Sequence, residues 1–304
     1  MSTQLESPLL PVGSFEPRRE GGGRRGMAVL YLALHLLPLT AVWGGVGLSD
    51  VALCFALLLA RGFLFGAGYH RYLAHRSFKT SRALQFLFAA GGCTALRGGP
   101  LWWAGLHRHH HRFSDTAVDV HSPAQGFWWT YGGWLVSGRF TTTPYGLVKD
   151  LAAYPELRWL NRNWLLPPAL LGGAVLLAGG WGAFAVGFGL SSVLLLHTLA
   201  LTDALVHHFG TRRYATPDTS RNSFWVSCLS LGEGWHNNHH HYQSSANLGF
   251  FWWEVDTTYT ALRALSLVGL VWGLRTPPPD ALRRGLAPPA GEAGPEGGGA
   301  ASLE

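Results

Sequence analysis

The chain is poor in charge and in cysteine, and each shortage narrows what it can be. Only 13% of its 304 residues are Asp, Glu, Lys or Arg, and the mean hydropathy is +0.13. Those values are unusual for a soluble protein of this length and point toward a membrane. The three cysteines, Cys54, Cys93 and Cys228, share no close spacing, so neither a disulfide framework nor a cysteine-based zinc site is indicated. Any metal must then be held by nitrogen and oxygen. The net charge of +6 comes without a basic stripe interleaved with aromatics, so no nucleic acid partner is expected.

Long apolar runs are plentiful. Residues 27–48 suffice to cross a ~30 Å hydrocarbon core at about 1.5 Å per residue, whereas a signal-peptide core has about 7 to 15 residues. After a break at Asp50, residues 51–68 are apolar except for Arg61. An arginine inside a span costs several kcal/mol unless it finds a partner, so Arg61 is expected to face protein. A second hairpin is expected from residues 164–181 and 183–205. Leu84 to Ala95 is too short to span and reads as a helix at the interface or against the histidine-bearing part. Arginines precede the first and third runs and follow the fourth, while the second turn is uncharged, which puts both termini in the cytoplasm.

The fold expected is therefore an all-α integral membrane protein with four transmembrane helices in two hairpins. Residues 69–161 and 206–275 would form a cytoplasmic helical cap. Residues 1–26 read as a disordered basic tail, 276–304 as a disordered Pro/Gly/Ala-rich tail, and Leu262 to Leu274 as an amphipathic helix along the membrane surface.

Histidine is the abundant exception to this plain composition. His236, His239 and His240 stand at i, i+3 and i+4, as do His107, His110 and His111, and on an α-helix each triplet shares one face. His70 and His75 are five apart, so on an α-helix they would point to different sides and serve different ions. Imidazole suits iron, zinc and copper. So many clustered histidines exceed the capacity of one ion, and a dinuclear centre in the cap is the simplest assignment. His207 is a ninth candidate, with Asp203 one turn earlier as a ligand or as a support for one. Glu233 and His236 spell Glu-x-x-His, but the second copy and further carboxylates of a carboxylate di-iron bundle are missing, so Glu233 reads as a hydrogen-bonding support. His35, His109, His121, His197, His208 and His241 read as supports behind the ligands or as structural. Removing hydrogen from an unactivated methylene is beyond side-chain acid or base catalysis, and an oxidising metal–oxygen species can do it. Lipids are the substrates of a membrane protein that need such chemistry. A hydroxylase of the same metal architecture, or a metal transporter, are the competing classes.

The motifs GYHRYLAHRSFKTSR (Gly68 to Arg82), HRHHHRFSD leading into DVHSPAQGFWW (His107 to Trp129), HHFGTRRYAT (His207 to Thr216), SRNS, GEGWHNNHH and FFWWEVD carry a resemblance. The chain resembles the membrane-bound fatty acyl desaturases, of the acyl-CoA Δ9 type and bacterial members above all, from about Met27 to Arg275. That resemblance implies two irons held by His70, His75, His107, His110, His111, His207, His236, His239 and His240. It implies dioxygen, an external electron carrier such as a ferredoxin or a cytochrome b5-like protein, and a cis double bond placed in a saturated acyl thioester or other carrier-linked chain. It implies a bacterial inner membrane location and a substrate tunnel walled by Trp103, with Leu199 where the family has threonine. Asp203 stands where the family has an asparagine that contacts a metal through water. Ala104-Gly105-Leu106 replaces the Ala-Arg-Asp of animal acyl-CoA enzymes, and Thr130-Tyr131 replaces a Ser-His pair.

Overall fold

A computed structural model describes residues 24–287; the remainder of the two expected tails, 1–23 and 288–304, lies outside the described residues. The chain is mostly helical, and three of its helical runs are long and apolar enough to cross a membrane: Gly26–Trp43, Leu48–Ala74 and Leu166–Leu205. The first begins with α1 (Arg24–Leu36) and tightens into a 3-10 segment, Leu37–Trp43. The second, α2 (Leu48–Phe63), starts where the Asp50 carboxylate accepts the free Gly47 N–H at 2.9 Å. It continues as a π-helix over Leu64–Ala74. Two shorter helices follow, α3 (Arg82–Cys93), capped by the Ser81 hydroxyl, and α4 (Pro100–Phe113). Asn161 Oδ1 accepts the Leu101 and Trp102 N–H groups at 3.0 and 2.9 Å, satisfying the first turn of α4.

The third run of 40 residues is not one rod. It comprises α5 (Leu166–Gly182), a π-helical segment Ala183–Leu190 and α6 (Ser191–Leu205). Gly180 leaves the helix at φ 72°, ψ −165°, a conformation that a side chain would strain. The chain doubles back there, because Gly172 lies against the rings of Phe184 and Phe188. At this turn Trp181 Nε1–H donates to the Thr40 carbonyl at 3.1 Å, so it meets the end of the first run.

Outward faces of the runs carry Leu32, Val42, Phe55, Leu59, Leu170 and Leu177, all more than half exposed. Bare apolar surface on this scale marks a lipid or partner contact. Arg61 is buried, as expected of a charge in such a run. Its Nη1 donates to Ser191 and Ser192 hydroxyls at 3.1 and 2.9 Å, and its Nε to the Thr94 carbonyl at 3.1 Å. It thereby ties α2 to α6 and to the C-terminal end of α3. The short apolar helix α3 is packed against the π-helical segment through Phe88, Tyr69 and Tyr72, within the largest core.

Later elements that position the site include α7 (His236–His241), α8 (Thr257–Leu267) and a two-residue pairing of β1 (Lys79–Thr80) with β2 (Val271–Trp272). Leu262 to Leu274 is therefore not one amphipathic helix. Gly269 at φ 73° turns the chain, and the next residues pair with β1. Residues 276–287, expected within a disordered tail, are ordered and include a short helix, Pro279–Arg283. Their backbone finds partners: Ala215 N–H donates to the Gly285 carbonyl and Ala287 N–H to the Arg213 carbonyl, each at 2.7 Å.

Candidate metal centre

All nine histidines singled out from the sequence converge, and they do so in two groups. Ring nitrogens of His70, His75, His107, His111 and His239 lie within 4.8 Å of one another, and those of His110, His207, His236 and His240 form a second such group. Neither triplet stays together. His107 and His111, one turn apart on α4, join the first group while His110 joins the second. On α7, His236 and His240 join the second group and His239 the first. An i, i+4 pair stacks on one face and the i+3 residue leans away, so one helix can serve two centres.

His70 and His75 were expected to serve different ions, and the structure brings both into the first group. The cause is the π-helix. His75 N–H donates to the His70 carbonyl at 3.2 Å, an i to i+5 closure that sets residues five apart nearly above each other.

The nitrogens are spaced as ligands rather than as hydrogen-bond partners. Nε2 of His70 is 3.0 Å from that of His239, which is 2.9 Å from His111; His111 is 3.0 Å from His107, and His107 3.0 Å from His75. In the second group His207 and His236 Nε2 are 3.1 Å apart. A chain of five facing nitrogens cannot be satisfied by protons on neutral rings alone, since each has only one to give. With metal–nitrogen bonds of about 2.0–2.1 Å, ligands at right angles stand about 2.9–3.0 Å apart, against about 3.3–3.4 Å in a tetrahedron. The first group thus offers five nitrogens at this spacing, one more than the four ligands of a structural zinc site. Buried Nε2 atoms of His110 and His240 have no hydrogen-bond partner among the described residues, as a ligand atom should.

Carboxylates hold the opposite ring edges. Asp119 accepts from His110 Nδ1 at 3.0 Å, Asp218 from His240 Nδ1 at 2.7 Å, Asp115 lies 3.0 Å from His207 Nδ1, and Glu233 contacts His70 Nδ1. Such contacts fix the tautomer, leaving Nε2 as the free lone pair, and raise ligand basicity. Burial opposes ionisation of Asp115, but His207 and the Thr219 donors outweigh it and hold its pKa at about 2. Asp119 and Asp218 are likewise held well below the usual carboxylate range by their histidines, against the effect of burial. Burial, and then mutual repulsion, push His75, His107, His111, His236 and His239 well below 6.5, so the rings are neutral and ready to ligate.

Sequence reasoning found Glu233 but missed Asp115, Asp119 and Asp218. The available signal was position: in a chain with only 17 acidic residues, two of these three lie within eight residues of the second triplet. Arg71 was missed too. Fully buried, it bonds Glu233 Oε1 at 3.0 Å, Asp256 Oδ1 at 2.9 Å and the Ala246 carbonyl at 2.8 Å, tying His70's carboxylate to the start of α8. Gly232, at φ 117°, is where this works: a Cβ there would meet Asp256 at 2.3 Å. The short helix α7 is fixed by Asn237 Oδ1, which accepts the Arg213 and Tyr214 N–H groups at 2.8 and 2.7 Å, and by Asn238, whose Oδ1 accepts from Asn222 at 2.7 Å.

Asp203, considered as a ligand or as the support of one, belongs to neither group. Its carboxylate pairs with the buried guanidinium of Arg97, a cation strong enough to claim it. Trp103 stacks on His107, ring centres 4.7 Å apart and planes 12° apart, and borders a cavity of about 270 Å3 shared with Arg97, His121 and Asp203. Leu199 borders a different cavity, of about 400 Å3, with Leu58, Phe65 and Glu233. An edge-to-face contact of Phe65 and Trp103, centres 4.8 Å apart, stands between them.

The sequence profile of the fatty acid desaturase family matches residues 49–267. The chain is 36% identical over 261 residues to the sn-1 stearoyl-lipid 9-desaturase of Synechocystis sp., covering 83% of this chain and 80% of the relative. It is 35% identical over 256 residues to the palmitoyl-monogalactosyldiacylglycerol delta-7 desaturase of Arabidopsis thaliana, covering 83% and 69%. An acyl-CoA C20 Delta5-desaturase of Anemone leveillei is 36% identical over 253 residues, covering 80% and 79%. With more than half its length matched and relatives of this identity over most of both chains, the protein belongs to the fatty acid desaturase family and is a desaturase enzyme, an oxidoreductase.

Proposed function

We propose that the protein is an integral membrane enzyme that uses two irons and dioxygen to place a cis double bond, at the Δ9 position, in a saturated fatty acyl chain. The observation that carries this reading is the gathering of nine histidine nitrogens into a five-membered and a four-membered group. Each group fits an ion, by the 3 Å spacing in one and the orphaned Nε2 atoms in the other. Iron bound there would supply dioxygen activation and the one-electron chemistry that no side chain offers. The overall change balances as loss of two vicinal hydrogens from the chain, with two electrons and two protons from a donor, reducing one dioxygen to two waters. An external carrier, a ferredoxin or a cytochrome b5-like protein, is the donor in this reading.

The chain's own residues prepare that reaction. Asp115, Asp119, Asp218 and Glu233 orient four of the imidazoles, and Arg71 holds Glu233 in place. Trp103 and Leu199 wall the path of the acyl chain on two sides of Phe65. The kink at Gly180 supports reading the third run as two crossings, hence four in two hairpins. Charge placement supports a cytoplasmic side for the histidine cap and both termini, and the resemblance to bacterial members supports a bacterial inner membrane.

Expression in a desaturase-deficient host, followed by analysis of fatty acid methyl esters, tests the reading. A cis alkene two mass units lighter than its saturated parent is expected, along with about two irons per chain. A hydroxylated product would replace desaturation by oxygen insertion, and zinc as the tightly held metal with no altered lipid would end it.

A further inference from the structure

Two histidines outside the metal centre face each other between the first apolar run and the third. His35 is on α1 and His197 on α6, and their Nε2 atoms are 2.9 Å apart. His35 Nδ1 lies 2.6 Å from the Tyr31 carbonyl, and the Tyr131 hydroxyl meets His197 Nδ1. Ionisable side chains within apolar runs are costly and mark a use where they persist. Unlike the five facing nitrogens of the first metal group, this pair is satisfied by neutral rings, so it calls for no ion.

The direction of every hydrogen follows from one end. The Tyr31 carbonyl can only accept, so His35 Nδ1 carries the proton and His35 Nε2 the lone pair. That lone pair takes the hydrogen of His197 Nε2, which leaves His197 Nδ1 bare to accept the phenol O–H. Because the row stops at a backbone carbonyl, it does not conduct protons through. It is built to receive one: two imidazoles stand behind a single phenol and share the charge that its proton brings. Burial pushes the Tyr131 hydroxyl above its ordinary value of 10, so the phenol keeps its proton until an electron leaves with it.

Tyr131 also stands between the metal centre and the surface. Its ring stacks on Phe127, centres 5.9 Å apart, and Phe127 is 6.1 Å from the ring of His208, the neighbour of His207 in the second metal group. On the other side it meets Trp128, at 5.8 Å, which is 75% exposed. The resemblance sets a histidine where this chain has Tyr131, so the device is the chain's own.

We propose that Tyr131 discharges the oxidised metal centre when no acyl chain is bound, losing one electron to it and the O–H proton to His197 Nδ1, and becoming a neutral phenoxyl radical. This rests on the desaturase reading and adds a protective function to the same site. The external carrier re-reduces the radical through Trp128, and the proton returns from His197. Two such rounds replace the two electrons that the acyl chain would have given. With two more electrons from the carrier and four protons from solvent, one dioxygen is reduced to two waters.

The test uses the full iron-loaded chain in a bile-salt detergent, which carries no acyl chain, with dioxygen and a reduced plant-type ferredoxin. Rapidly frozen samples should show a tyrosyl radical by electron paramagnetic resonance. Tyr131→Phe should lose it, and so should His197→Gln, which offers the hydroxyl an acceptor but cannot take its proton. When a stearoyl lipid is supplied, Tyr131→Phe should form alkene at the unaltered initial rate. After incubation without lipid it should lose activity several-fold sooner, with oxygen added to ligand histidines in the mass spectrum. In the metal-free protein, a photo-excited ruthenium complex with a sacrificial quencher should oxidise Tyr131 faster in the unaltered chain than in His197→Gln. A radical that survives in Tyr131→Phe, or equal lifetimes of the two proteins, overturns the assignment, and alkene formed in the same samples leaves the desaturase reading standing. Absence of both bound iron and alkene ends the two together.

Discussion

The two histidine groups differ more in what surrounds them than in ligand number. In the four-membered group no residue exceeds 9% exposure, and three of its four histidines have a carboxylate on Nδ1. In the five-membered group only His70 does, while buried Nδ1 atoms of His111 and His239 have no partner among the described residues. His75, His107 and His111 are half-buried, and an opening of about 630 Å3 rimmed by Arg108, Arg112 and Gln243 reaches His75 and His111. One site is compensated by negative charge and closed; the other has more ligands, less compensation and a way out to solvent. The contrast implies a tightly held ion and an exchangeable one.

The largest effect should come from removing a ligand. His239→Ala takes a nitrogen from the open group and should abolish turnover with loss of about half the bound metal; His236→Ala should also abolish turnover but release the other half. Metal analysis of the two variants checks whether the groups are separate sites. A smaller effect is expected from their carboxylates. Asp218→Asn leaves His240 with a neutral partner and should weaken metal retention in the closed group by roughly 10–100-fold, leaving the open group as it was. Competition with a graded series of chelators measures this, and in the unaltered protein the same series should strip the open group first. Equal loss from both groups would erase the distinction.

Acid should sharpen it further. Burial first, and then repulsion from His110, lower His121 to about 4, with Asp119 and Asp203 offsetting part of the shift. Its folded-state pKa is below the ordinary 6.5, so an unfolded chain takes up the proton first. The stability it contributes is present above about 6.5, declines as pH falls toward 4, and changes no further below that. The rings held still lower, such as His75 and His236, add losses of the same sign below 6.5. Thermal melts of the metal-free protein between pH 7 and 4 should show a steady fall, and bound metal should shift the onset to lower pH. A flat profile would mean that the rings are not buried and neutral.

Histidine spacing singled out eight of the nine rings that converge, and the family resemblance added His207, because clusters of one chemically specific residue are visible without knowing how the chain folds. What it could not convey was the partition. That depends on a π-turn, which superposes His70 and His75, and periodicity rules assume the α-helix. Apolar runs revealed the membrane, and Arg61 the protein-facing side of one of them. The turn expected between residues 164–181 and 183–205 falls at Gly180, where the chain leaves the helix. Asp115, Asp119 and Asp218 stayed invisible because a carboxylate that orients a ligand has no spacing of its own; it is recruited from whichever loop passes behind the ring. The order in 276–287 was hidden for a similar reason, since its bonds to residues 213 and 215 are long-range backbone pairings that low-complexity composition does not forbid.

The smallest effect, and the one that tests the position of the open cavity, concerns Asp203. Were it a ligand, replacing it would cost metal. The structure instead pairs it with Arg97, whose Nε and Nη1 are buried without partners among the described residues, so the carboxylate is what balances that cation. Asp203→Asn keeps the shape and a hydrogen-bond acceptor but removes the charge, leaving a buried guanidinium uncompensated; a loss of roughly 1–3 kcal/mol in stability follows. Iron content should stay at the unaltered level in both groups. The opposite pattern, with stability kept and metal lost, would put Asp203 on a metal and move the boundary of the closed site to include the wall of the cavity beside Trp103.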